Sequence, residues 1–288
     1  MAKSVVAQNA GSLIEAPRML EGAGFEVRRP LPHGELQSVG PFIMLDHIGP
    51  ATQGPGEAVG APRHPHAGLE TLSWFIEGGG EHRDSLGNHS LTGPGEAQWM
   101  RAGRGIVHDE GPLAEQLRDG GRAHMVQLWL DCPGPDRLGE PDYRHLLAAD
   151  IPDLEAGEGV RVRLLAGRWA DRQGPIAGDA QPVLLHIDLA PGARFDSPPQ
   201  AEELAVYVLT GAIETQAPSG NVPDGHLLLG MPVAIRAGAE GAAVLLLGGA
   251  QLASAPFRHG PFVAADREEM VAIVERYQTG AFGDVVFD

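Results

Sequence analysis

The apolar residues of this chain come in short runs, and glycine or proline closes nearly all of them. Runs at 41–48, 70–77, 124–130, 183–189 and 204–209 stop at Gly78-Gly79-Gly80, at Cys132-Pro133-Gly134-Pro135, or at single residues such as Gly211. Proline removes a backbone donor, and glycine favours turn conformations that a helix interior excludes. With 40 glycines and 24 prolines in 288 residues, a helical bundle is ruled out and many short strands are expected. Shorter strands are expected at 98–100, 106–110 and 161–165, a loop at 51–62, and a helical turn within 141–151. One stretch follows a different period. Met270, Ile273, Val274 and Tyr277 recur at helical spacing behind Asp266, an N-cap residue with Glu269 three positions on. A helix is therefore expected over 267–278, ended by Gly280.

Length points to two domains. Weakly similar patterns support a duplicated β unit: Pro94-Gly95-Glu96 leads through an apolar element to Ala102-Gly103, and Pro223-Asp224-Gly225 leads to Ala237-Gly238. The working division is 1–135 and 136–288. The formal charge of −17 disfavours direct nucleic-acid binding, because phosphate contacts need a basic face. Cys132 is the only cysteine, so no intrachain disulfide can form and no site built on several thiolates exists within one chain. No apolar run is long enough to span a membrane. A cytoplasmic protein, monomeric and without a membrane partner, is the expectation.

Chemistry concentrates in two segments. His64-Pro65-His66 puts both imidazoles on one side of an extended chain, because strand side chains alternate. His108-Asp109-Glu110 does the same for His108 and Glu110 and turns Asp109 away. An isolated His-x-His is more often a surface feature than a ligand pair. Two such pairs on neighbouring strands form a different object: three imidazoles and a carboxylate suit one divalent transition metal such as Fe, Ni, Mn, Cu, Co or Zn, with positions left for water, dioxygen or a chelating substrate. His47 and His124 are candidates for a supporting or cavity-lining role, and the remaining histidines read as structural or exposed.

Several segments resemble a known family in order along the chain. Arg63-His64-Pro65-His66-Ala67-Gly68-Leu69-Glu70-Thr71, Asp84-Ser85-Leu86-Gly87-Asn88, Gly103-Arg104-Gly105-Ile106-Val107-His108-Asp109-Glu110 and Gln127-Leu128-Trp129-Leu130 resemble the signatures of the pirins, within the cupins. Gly260-Pro261-Phe262-Val263, Arg267-Glu268-Glu269 and Gly280-Ala281-Phe282-Gly283 extend the resemblance over essentially the whole chain. It implies an all-β protein of two cupin barrels (double-stranded β-helix, or jelly-roll) with a short C-terminal helix. It implies one mononuclear metal in the first barrel, usually Fe(II), held by His64, His66, His108 and Glu110, with the second barrel metal-free. Asp109 stands where the family often has a small polar residue. The resemblance further implies a quercetin 2,3-dioxygenase-like enzyme, which opens the ring of a flavonol or related aromatic with O2 and releases carbon monoxide. Glu110 would then accept the substrate's hydroxyl proton, and Phe42, Met44 and Trp74 are candidate apolar walls. The family also contains iron-dependent transcriptional coregulators, so a redox-sensing protein with a protein partner and no catalysis is the alternative.

Overall fold

The computed structural model of the chain describes residues 4–178, 180–216, 220–230 and 234–287. They form two compact, discontinuous units. One comprises residues up to 17 together with 29–44 and 149–253; the other comprises 18–28, 45–148 and the residues from 254 onward.

The first unit is built on a nine-stranded antiparallel sheet. Its path runs Leu13–Glu15, His226–Leu229, Glu203–Thr215, Ile235–Gly249, Val183–Leu189, Val160–Ala166 and Asp153–Glu155. Arg194–Phe195 and Asn221–Pro223 pair beside that path. The alternation in 160–166 is realised here, with Val162 and Leu164 in the core beside Ile187, Phe195 and Leu246. Fully burying such side chains contributes about 1.5–3 kcal/mol each, which offsets the chain entropy lost on ordering.

Two further antiparallel sheets lie mainly in the second unit, together with a two-stranded sheet of Phe257–His259 and Phe262–Ala264; residues 29–31 and 42–44 of the larger sheet's strands belong to the first unit. One runs Ala61–His66, Ile106–Gly111, Gly80–Asp84, His89–Thr92. The other runs Asp142–Leu146, Ala97–Arg101, Leu69–Glu77, Gly121–Asp131, Phe42–Gln53, Phe25–Leu31, Arg18–Glu21. Side chains bridge them: Gln127 of the larger sheet reaches Glu110 of the smaller, and Tyr143 stacks on His82. The C-terminal helix, Arg267–Gln278, is capped as its sequence predicts, with Asp266 Oδ1 accepting from the Glu269 N–H at 2.9 Å. It buries Met270 and Ile273 in a cluster that includes Ala67 and Val107, the residues next to His66 and His108.

The expectation of two closed barrels is not met. Each sheet is an open path with two ends, and among the described residues no ladder joins those ends. The reason lies in the end strands. Leu13–Glu15 and Asp153–Glu155 have three residues each, Arg18–Glu21 and His89–Thr92 four, which is little ladder with which to close a ring. Pro62 and Pro65 also remove two N–H donors from the end strand Ala61–His66, as expected of a strand without a second neighbour. The helical turn expected within 141–151 is present as the 3-10 turn Ala148–Asp150, and it is preceded by a strand, Asp142–Leu146, in which Tyr143 and Leu146 pair with Met100 and Ala97.

Candidate metal centre

His64 and His66 lie on the strand Ala61–His66, and His108 lies directly opposite His64 on Ile106–Gly111. One nitrogen from each ring falls within 4.8 Å of the other two. Among the described residues, this is the group of metal-ligating side chains that converges. His66 and His108 are almost fully buried and His64 is half-buried, so the cluster is open on one side.

The partners of these rings decide which nitrogen carries the proton. His64 Nδ1 lies 2.9 Å from the carbonyl of Pro62, and His66 Nδ1 lies 3.1 Å from that of Pro261. A carbonyl can only accept, so both Nδ1 atoms donate and both Nε2 atoms present lone pairs to the centre. Burial pushes the His66 pKa down to about 3, with His64 adding to the effect, and burial drives His108 well below its usual value. These rings therefore stay neutral, the form that binds metal. His64 Nε2 and His108 Nε2 are 2.9 Å apart. Nitrogens that close can share one cation when both present lone pairs to it. The donor set of three converging imidazoles thus fits one divalent transition metal.

Glu110 follows His108 on the same strand but is not part of the convergence. The register slips between them, since His108 faces His64 whereas Glu110 faces Ala61. The Glu110 carboxylate instead accepts from Gln127 Nε2 at 3.0 and 3.1 Å, with Ser73 Oγ at 3.5 Å. Asp109 points to the other side, where its Oδ2 accepts from the Arg63 N–H at 2.9 Å and ties the two metal-site strands together.

The other sequence candidates sit elsewhere. Ser73 and Gln127 are cross-strand partners facing Glu110; Trp74 and Val126, the next pair, take the opposite face by alternation. His124 shares Val126's parity, and its Nε2 lies 2.9 Å from His47 Nε2 in a buried pair. Burial, with Arg28 nearby, drives His47 to a pKa of about 2. Phe42 and Met44 are buried in the unit that lacks the triad.

Sequence reasoning missed Gln127, Ser73, Trp129 and His82 as site residues. Trp129 packs edge-on against His66, ring centres 4.9 Å apart. Its buried indole N–H has no acceptor among the described residues. His82 stacks flat on Tyr143 at 4.0 Å and approaches His108 from behind. Period-two counting from Trp129 finds Gln127; nothing comparable marks His82, whose strand reads as polar surface.

Comparison with known proteins agrees with this geometry. The Pirin family model matches residues 24–130, and that of the Pirin C-terminal cupin domain matches residues 184–283. A pirin-like protein of Caulobacter vibrioides is 35% identical over 268 residues, covering 91% of this chain and 94% of its own. Pirin of Homo sapiens is 31% identical over 258 residues, covering 87% and 85%. The crystal structure of a quercetin 2,3-dioxygenase from Acinetobacter baumannii superposes with a TM-score of 0.88 at 28% identity, covering 96% of this chain and 99% of that one. On these matches and on its own motifs, the chain belongs to the pirin family of the cupin superfamily.

Proposed function

We propose that this protein is a mononuclear metal enzyme of the quercetin 2,3-dioxygenase type, cleaving a flavonol or a related small aromatic with O2. The observation that carries this reading is the convergence of three imidazoles within 4.8 Å, open on the His64 side. His64, His66 and His108 would hold the metal, with Fe(II) first among the candidates and Glu110 as a further ligand. A divalent metal there supplies Lewis acidity and a redox-active centre for dioxygen chemistry. Similarity to the Acinetobacter baumannii quercetin 2,3-dioxygenase over nearly the whole of both chains supports the substrate class.

The chain's own residues have defined tasks in this reading. Glu110, two residues beyond His108, accepts the proton of the substrate's acidic hydroxyl. Gln127 and Ser73 hold that carboxylate by its oxygens and aim it, so its position does not depend on substrate. Trp129 forms an aromatic wall beside His66, and its indole N–H would be available to an oxygen acceptor on a bound substrate. The division into a metal-bearing half, 1–135, and a metal-free half, 136–288, belongs to the same reading, as do a cytoplasmic location and a monomeric state.

The test is aerobic incubation of the Fe(II)-loaded protein with quercetin. Bleaching of the flavonol absorbance with release of carbon monoxide supports the assignment. Absence of turnover with Fe, Mn, Ni, Co and Cu in turn overturns it.

A further inference from the structure

His82 and Asp84 lie on Gly80–Asp84, the strand that pairs with His108 on the side away from His64. Both side chains are essentially inaccessible to solvent, at 2% and 0% exposure. Burying a carboxylate is costly unless its oxygens are fully partnered. Asp84 Oδ1 accepts from the N–H groups of Leu86 and Asn88 at 2.9 and 3.0 Å, which accounts for one oxygen as the brace of a turn. Oδ2 accepts from Asn88 Nδ2 at 2.9 Å and lies 3.1 Å from His82 Nε2. A turn brace alone does not need that last contact. Nor does the flat stacking of His82 on Tyr143 need a nitrogen.

The order of the atoms gives the contact its meaning. An ionised Asp84 can only accept, so His82 carries its proton on Nε2 and leaves Nδ1 as an acceptor. His82 Nδ1 lies 3.5 Å from His108 Nδ1. His108 then holds its own proton on Nδ1, and its Nε2 lone pair faces the triad. His64 and His66 obtain the same tautomer from the carbonyls of Pro62 and Pro261. His108, the deepest of the three rings, obtains it from a side-chain relay instead.

We infer that Asp84 and His82 form a carboxylate–imidazole relay that fixes His108 as an Nε2 donor and thereby sets the metal affinity of the site. The inference rests on the reading that the triad holds a metal. His82 and Asp84 are positioning residues, acting through His108. Such partners orient a ligating imidazole and raise its basicity, and their loss costs about 10–100-fold in metal affinity.

Asp84→Asn is the discriminating variant. Its oxygen can still brace the turn at Leu86 and Asn88, but its amide places a donor opposite His82 Nε2–H. His82 must then turn its proton toward His108, which loses the tautomer that ligates. Co(II) affinity is measured by chelator competition and the Co(II) visible spectrum is recorded on folded wild type, Asp84→Asn, His82→Phe and His82→Gln. Asp84→Asn and His82→Phe are expected to bind about 10–100-fold more weakly with a shifted spectrum, while His82→Gln, whose amide oxygen can accept from His108, recovers most of the affinity. Affinity within threefold of wild type and an unchanged spectrum in folded Asp84→Asn overturn the relay; that variant decides if His82→Phe does not fold. A wild type that takes up no Co(II), or a His64→Ala variant that binds it equally well, overturns the metal reading instead.

Discussion

Gly68 couples the metal site to the C-terminal segment, and replacing it with alanine is expected to damage both. Its φ is +75°, and a methyl group there would lie 1.8 Å from the carbonyl oxygen of Val263. Real Cβ contacts do not fall below 3.0 Å, so the Val263 backbone would have to retreat by about 1.2 Å. That backbone is held by the Val263 N–H, which donates to the Ala67 carbonyl at 3.0 Å, and it lies two residues from Pro261, whose carbonyl accepts from His66 Nδ1 at 3.1 Å. A shift of that size stretches either bond beyond hydrogen-bonding range. The left-handed backbone costs about 1–2 kcal/mol for a residue with a Cβ, and each lost hydrogen bond about 0.5–1.5 kcal/mol more. With both bonds lost, Gly68→Ala is therefore expected to lose about 2–5 kcal/mol of stability. Freed from Pro261, His66 is expected to weaken metal binding by about tenfold or more. Urea unfolding of the metal-free protein and chelator competition of the loaded protein read the two effects. Unchanged stability together with unchanged affinity refutes the argument.

Three further outcomes are expected. Arg137 and Asp131 form a buried ion pair, 8% and 3% exposed, so Arg137→Met leaves an unpaired carboxylate and should cost about 3–5 kcal/mol, with much of the loss recovered by adding Asp131→Leu in the same urea assay. His47, held neutral by burial to a pKa of about 2, contributes stability that is full above its unfolded value of about 6.5 and falls as pH drops through the window between the two. Each pH unit below 6 should cost about 1.4 kcal/mol through this group, and a folded His47→Gln variant should show a correspondingly shallower acid slope; an equal slope removes His47 as a cause. Glu110→Gln keeps the shape beside Gln127 but cannot accept a proton, so flavonol turnover should fall about 10²–10⁴-fold; turnover close to wild type would remove Glu110 as the base.

How far the residues alone foretold this arrangement differs from one element to the next. The C-terminal helix was legible because Asp266, Glu269 and the apolar spacing all point to one element. The strand 183–189 was equally clear, being an apolar run of strand length. Barrel closure was not legible, because it depends on whether short edges such as Leu13–Glu15 find a second partner, and no local pattern encodes that. At the site, the three histidines announced themselves by type and spacing. Gln127 did not, although it lies three residues from His124 on the same strand. That odd spacing puts the two on opposite faces, and ligand chemistry drew attention to the histidine that faces away. His82 and Asp84 were hidden for another reason. Gly80-Glu81-His82-Arg83-Asp84 alternates two polar sets, so only the three-dimensional pairing with His108 shows which set is buried.

His64, His66 and His108 are expected to bind one transition metal. Elemental analysis of protein purified without added metal, beside His64→Ala prepared identically, tests it most directly. Close to one equivalent of a single divalent transition metal per chain is expected in the wild type, restorable after chelation, and little in the variant. No metal in the wild type even after reconstitution, or a full equivalent retained by His64→Ala, would contradict it.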